Sequence, residues 1–237
     1  MHTNSRIYPL YSPNNHNLGS NVSEAVFQQI WLAIVDSELS PGSAVTEASL
    51  STRFGVSRTP MREAIQRLVS IGLIQRSRGR SMRICKITVR SMENLTMTRE
   101  RLEGLVAWQV WDRARRGEIE LDRLKELQNR HETLAPTRDL ELLLTMGLEF
   151  HHELRALCGN EVVVAMLEQI LLALEPYRRL ANTRVDRCNR VIDEHREVLS
   201  LLVADDGDAA EAAMRQHISH TRDFYRERLG ELANSVA

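Results

Sequence analysis

Three imidazoles, His151, His195 and His217, are of a type that could do chemistry together, each in a different stretch of helical periodicity. Neutral imidazole binds Zn, Ni and similar divalent ions well, so three of them on facing helices would make a metal site. Histidines scattered over separate helices are also common as ordinary surface or core residues, and spacing alone leaves that reading open. A catalytic use would need an open metal position with a placed general base. No H-E-x-x-H, nucleophile elbow or phosphate loop accompanies these residues, so a metal-dependent hydrolase ranks behind a binding role. The neighbouring His152 and His220 read as ordinary surface histidines.

A second group of chemistry-bearing residues is basic. Between residues 51 and 90 there are ten Lys/Arg against one acid, Glu63, a local charge of +9; since the whole chain sums to −1, the remainder carries −10. A basic block joined to an acidic remainder fits a polyanion-binding module attached to something else, although a solvated face would look the same by charge alone. Within the block, Arg58 and Arg62 are four residues apart and share a helix face, with the Ser57 and Thr59 hydroxyls beside them. Arginine can bind guanine through two hydrogen bonds, and the hydroxyls can hold phosphate oxygens. Arg78 and Arg80 flank Gly79 in a turn where backbone can approach DNA closely and cationic side chains can enter a groove.

The elements that must position these groups follow from periodicity and punctuation. Residues 1–20 lack apolar periodicity and are expected to be a disordered tail. Apolar positions from Val22 to about Leu39 predict helix one, stopped by Ser40-Pro41-Gly42. A short helix over Thr46–Phe54 ends at Gly55, and a further helix starts at Arg58 with Ser57 as N-cap and Pro60 in its first turn. The alternating segments 72–76 and 82–87 around the basic turn predict a hairpin, completing a winged helix-turn-helix over residues 21–87. Beyond it only helical periodicity is found, in six segments near 92–116, 119–134, 137–158, 160–181, 184–204 and 208–231. The fold class is therefore mainly α: three helices plus a wing, then an all-α bundle over 88–237.

Composition agrees, with 43% hydrophobic, 27% charged and only 5% aromatic residues, the profile of a helical globular protein. No apolar run approaches the roughly 18 residues needed to span a bilayer. Cys85, Cys158 and Cys188 are far apart with no C-x-x-C spacing, so a cytoplasmic protein with reduced thiols is expected. The run Val162, Val163, Met166, Leu167, Ile170, Leu171 and Leu174 reads first as core, with a share left for a pocket or dimer contact.

The segment from Phe54 to Leu68, with Ser57-Arg58-Thr59-Pro60-Met61-Arg62-Glu63-Ala64 at its centre and Gly72-Leu73-Ile74 following, closely resembles the winged helix of the GntR family of bacterial regulators. That resemblance implies operator contacts for Arg58, Thr59, Arg62 and Gly79. Ala48 departs from members that carry a DNA-touching arginine there. The stretches Arg99-Glu100-Arg101-Leu102-Glu103, Phe150-His151 with Gly159-Asn160, Glu194-His195 and Met214-Arg215-Gln216-His217 resemble the FCD effector domain of FadR-type members. The second resemblance implies a divalent metal, Zn or Ni, on His151, His195 and His217, together with an acidic residue one helical turn before the first. That position is Gly147 here, which leaves a three-histidine face to be completed by water or a ligand carboxylate. It also implies an effector role for Arg99, whose guanidinium can take a carboxylate in a two-point fork; a salt bridge inside the bundle would use it equally well.

Together these readings predict a homodimer on a palindromic double-stranded DNA operator, acting as a repressor under the control of a small organic acid. A DNA-binding dimer in which the bundle only dimerises and the histidines are incidental is the alternative.

Overall fold

The computed structural model describes residues 18–77, 81–181 and 185–235. Its described residues fall into two compact units, one of residues 96–168 and 185–227, the other of residues 18–95, 169–181 and 228–235. Among the described residues no helix is long and apolar enough to cross a membrane.

The second unit begins with α1 (Leu18–Val35), β1 (Ala44–Thr46), α2 (Glu47–Phe54), α3 (Arg58–Ser70), β2 (Ile74–Arg76) and β3 (Ser81–Ile84). Helix α1 starts within the expected tail, at Leu18, and stops at Val35, before the Ser-Pro-Gly signal. Ser37 takes a left-handed φ of 61°, and the Leu39 N–H donates back to the Ala33 carbonyl, so the turn closes on hydrogen bonds that periodicity does not reveal.

Helix α2 opens on a reciprocal cap: the Ser49 N–H donates to Thr46 Oγ1 and the Thr46 N–H to Ser49 Oγ, both at 3.0 Å. Gly55 closes it at φ 66°, as the sequence predicts. The wing is not a lone hairpin. β1, absent from the sequence reading, pairs antiparallel with β3 (Ala44↔Arg83, Val45↔Met82), giving the order β1-β3-β2. A three-residue strand with one inward side chain, Val45, carries too little alternation to be read from sequence. Ile30, Ile34, Leu50, Met61, Ile65, Leu68, Ile74 and Ile84 form a dry interior beneath these elements.

Six long helices follow: α4 (Val89–Arg115), α5 (Asp122–Leu134), α6 (Leu140–Leu157), α7 (Glu161–Ala181), α8 (Val185–Val203) and α9 (Gly207–Ser235). Several start on polar caps. The Asp139 carboxylate accepts the Leu142 N–H (3.1 Å), Asn160 Oδ1 the Val163 N–H (3.2 Å) and Asp206 Oδ1 the Ala209 N–H (3.0 Å). The core of the first unit is built from Val106, Val110, Phe150, Leu154, Leu167, Val198, Met214 and Ile218. Gly207 is required there by space, because a Cβ would stand 2.2 Å from the Trp111 ring.

The apolar run on α7 divides. Val163, Leu167 and Leu174 are buried, whereas Val162 is 71% and Met166 50% exposed, so these two correct the expectation of core. The C-terminal part of α7 belongs to the unit that holds the winged helix, where the buried Trp31 indole donates to the Leu172 carbonyl at 3.2 Å and Arg179 pairs with Asp36 at 3.2 Å. The other tryptophans, Trp108 and Trp111, are half-buried neighbours on α4, their indoles donating to Asp208 and Asp205.

Candidate metal centre and DNA-reading surface

Helices α6, α8 and α9 deliver His151, His195 and His217 to one point. All three are buried, and their ligand nitrogens lie within 4.8 Å of one another. His151 Nε2 is 3.1 Å and His195 Nε2 3.4 Å from His217 Nε2. Zn–N bonds of about 2.0–2.1 Å place tetrahedral ligand nitrogens roughly 3.3 Å apart, so this spacing fits one small divalent ion.

Two carboxylates, which the sequence reading did not single out for this role, decide which nitrogens face inward. His151 Nδ1 donates to Glu103 Oε2 (3.3 Å) and His217 Nδ1 donates to Glu194 Oε2 (2.7 Å). Burial alone would raise the Glu103 pKa, but His151 and the Arg99 and Arg155 guanidinia outweigh it and hold the carboxyl well below its usual range. Glu194 is likewise brought down to about 2, against the opposing effect of burial, by His217, Arg187 and His220. Ionised carboxylates can only accept, so both Nδ1 atoms carry the ring protons. The Nε2 lone pairs of His151 and His217 are then left facing each other, an arrangement that repels unless a cation sits among them. Burial keeps the rings neutral: His217 is lowered to about 4, His195 falls well below its ordinary value, and His151 moves in the same direction.

The rest of the surroundings sort as follows. Phe150 stacks on His195 with centroids 4.3 Å apart, while His195 Nδ1 is buried without a hydrogen-bond partner among the described residues. Arg99 lies beside the centre with Nε on Glu103 Oε1 (3.1 Å), the internal salt bridge that the sequence allowed. Gly147 lies one turn before His151, bare as expected. His220 is not an ordinary surface histidine: its Nδ1 sits 2.8 Å from Glu194 Oε1, on the carboxylate that orients His217. His152 is exposed. The acidic neighbours were findable as Glu103, four residues from Arg99, and Glu194, adjacent to His195, but nothing in their spacing pointed them at histidines on other helices.

On the other unit, Ser57, Arg58, Thr59 and Arg62 share the exposed N-terminal end of α3, while Met61, Ala64, Ile65 and Leu68 face inward. Ser57 stands at the N-cap without a side-chain cap bond, and the Arg62 side chain is 69% exposed with Nε 3.7 Å from Glu47 Oε1. Arg67 is set apart from this group. It pairs with Glu24 and lies 4.0 Å above the Phe27 ring, a structural role. The predicted wing-tip residues Arg78, Gly79 and Arg80 lie outside the described residues.

Comparison with known proteins matches two successive stretches of the chain. Residues 94–220 match the FCD domain, and residues 22–84 match the family described as bacterial regulatory proteins, gntR family. The chain is 26% identical over 211 residues to the HTH-type transcriptional repressor RspR of Escherichia coli K12, covering 87% of this chain and 92% of that one. It is 23% identical over 209 residues to the HTH-type transcriptional regulator LutR of Bacillus subtilis, covering 80% and 94%. Among solved structures, E. coli McbR/YncC superposes with a TM-score of 0.67 at 17% identity, over 88% of this chain and 98% of that one, a likeness of fold.

Proposed function

The chain belongs to the FCD-domain family and carries the DNA-binding domain of the bacterial gntR regulators, a transcription regulator with a C-terminal effector domain, and from this premise we propose that its effector domain is a metal-dependent sensor of a small carboxylate. The centre holds one divalent ion, Zn or Ni, on His151, His195 and His217. The observation that carries this reading is the 3.1 Å approach of the His151 and His217 Nε2 atoms, with each ring's Nδ1 set on a buried carboxylate that accepts its hydrogen bond. Such carboxylate-histidine pairs fix the tautomer and raise the basicity of a metal-bound imidazole.

With three protein ligands the ion keeps open positions, and an organic acid filling them with its carboxylate would be held beside Arg99. The chain acts as a homodimer that sets Arg58, Thr59 and Arg62 of two α3 helices, with Arg78, Gly79 and Arg80 of the wings, on a palindromic operator as a repressor. The effector works by differing affinity for DNA-competent and incompetent states. It is a cytoplasmic protein.

Elemental analysis of the gently purified chain tests the centre, with His151→Ala, His195→Ala and His217→Ala in parallel. Near-stoichiometric metal that disappears in each variant is the expected result. No uptake after incubation with Zn or Ni would leave the helical unit as a dimerisation domain. A carboxylate that raises the melting temperature of the metal-loaded chain only would mark the effector class.

A further inference from the structure

The turn of α6 ahead of His151 has no side chain at Gly147, yet the space over it is not lined by apolar groups alone. A Cβ at that position would stand 3.7 Å from Cε1 of His195, 3.7 Å from Cγ1 of Val191 and 3.7 Å from Cε1 of His131, an imidazole delivered from α5. These are ordinary contacts, so a small group fits there, and two of its three neighbours are imidazoles. His131 is 1% exposed; its ring leans on the Leu143 backbone carbonyl without a hydrogen bond of good geometry, and its ring nitrogens have no other hydrogen-bond partner among the described residues. A buried imidazole left in that state lowers stability, and a packing role alone would be filled better by leucine or phenylalanine. His195, the nearest ring of the triad, likewise has no hydrogen-bond partner on Nδ1 among the described residues.

We infer that His131 is the fourth protein donor of the metal centre, taking the part of the carboxylate that Gly147 cannot supply. The inference rests on the metal-centre reading above. The His131 and His195 ring centroids are 6.1 Å apart, against 5.0, 5.1 and 4.7 Å for the pairs within the triad, so His131 stands outside the triad on the His195 side and joins the centre by a closure of α5 on α6 and α8. The bare turn at Gly147 leaves room for that approach. Where a carboxylate at this position would carry charge into the centre, His131 brings none, so the loaded ion keeps its full +2 charge, and an effector carboxylate then binds by raising the coordination number above four rather than by filling a vacant fourth position.

The test uses the full chain, stripped with a chelator and titrated with Zn²⁺ against a chromogenic competitor, and separately with Co²⁺, whose visible spectrum reports the number and type of donors. Wild type is compared with His131→Leu and with His131→Leu/Gly147→Asp. The expected result is a loss of Zn²⁺ affinity of about tenfold or more in His131→Leu, the range seen when a metal site loses even a supporting partner. A changed Co²⁺ spectrum should accompany it, with recovery in the double variant and a metal-free melting temperature no lower than that of wild type. If leucine packs badly, His131→Phe keeps a flat ring without a donor and gives the same readout. Unchanged affinity and an unchanged Co²⁺ spectrum would overturn the inference while leaving the three-histidine centre standing. A wild type that takes up no metal would overturn both.

Discussion

The two units of this chain distribute polarity in opposite ways. In the unit holding the winged helix the interior is apolar apart from Ser23 and Glu175, and the residues that would touch DNA sit at the exposed start of α3. In the helical unit the centre itself is polar: Glu103 and His195 are 0% exposed, with His131, His151, His217, Arg99 and Gln128 buried near them or along the same helices. One unit reads a partner with its surface and keeps its core for stability. On the proposed function the other puts its recognition chemistry where stability is decided, so function and folding would draw on the same residues.

That contrast can be broken first at Glu103. Glu103→Ala removes the acid shared by Arg99, Arg155 and His151 and leaves guanidinia buried without it. Breaking a buried pair in this way costs about 3–5 kcal/mol. Denaturant unfolding should register that loss together with weaker metal uptake, and a change under about 1 kcal/mol would mean the interior charges are not structural.

Acid is expected to act on the same interior next. In the metal-free chain burial holds His131 and His217 near 4, and His195 well below its ordinary value, against an unfolded value of 6.5. The unfolded chain then binds more protons than the native one, so stability is complete above about pH 6.5 and falls as the pH drops from there towards 4. Glu103 and Glu194, both held below the usual carboxylate range, stay ionised through that window, so neither offsets the loss. Melting curves of the stripped chain from about pH 7.5 down to about pH 5 should show a steady fall; a flat profile would contradict burial of the neutral rings.

The surface unit should behave otherwise. Arg58→Ala or Arg62→Ala is expected to weaken operator binding by about 1–3 kcal/mol, measured by anisotropy at fixed salt, while stability moves by no more than about 0.5 kcal/mol. Metal content should not move at all. The smallest expected effect is at Gly55, whose φ of 66° disfavours a Cβ although nothing lies within 4 Å of it. Gly55→Ala should cost about 1 kcal/mol of unfolding free energy through the backbone alone.

The same contrast explains what could be read before folding. The α3 motif is contiguous, so Ser57 through Arg62 carried their arrangement in plain sequence, as did Gly55 at its turn. The triad was legible as residues only through a family likeness, since His151 and His217 are 66 positions apart yet face each other. Glu103, Glu194 and His131 were hidden because the direction of each side chain depends on how α4, α5 and α8 pack, and no local period encodes that. Strand β1 and the early stop of α1 were missed for the opposite reason: they rest on backbone hydrogen bonds of too few residues to leave a pattern.

The tryptophans give this division a practical form. The chain has three, and Trp31 sits buried in the winged unit with its indole on a backbone carbonyl, whereas Trp108 and Trp111 sit half-buried in the helical unit on aspartates. Each unit thus carries its own intrinsic fluorophore in a distinct setting, dry in one and partly wet and beside carboxylates in the other. A Trp31→Phe chain would report the helical unit alone, and a Trp108→Phe/Trp111→Phe chain the winged unit alone. Equilibrium melting followed by emission could then resolve, without any added label, which unit a ligand tightens and whether the two lose their structure together.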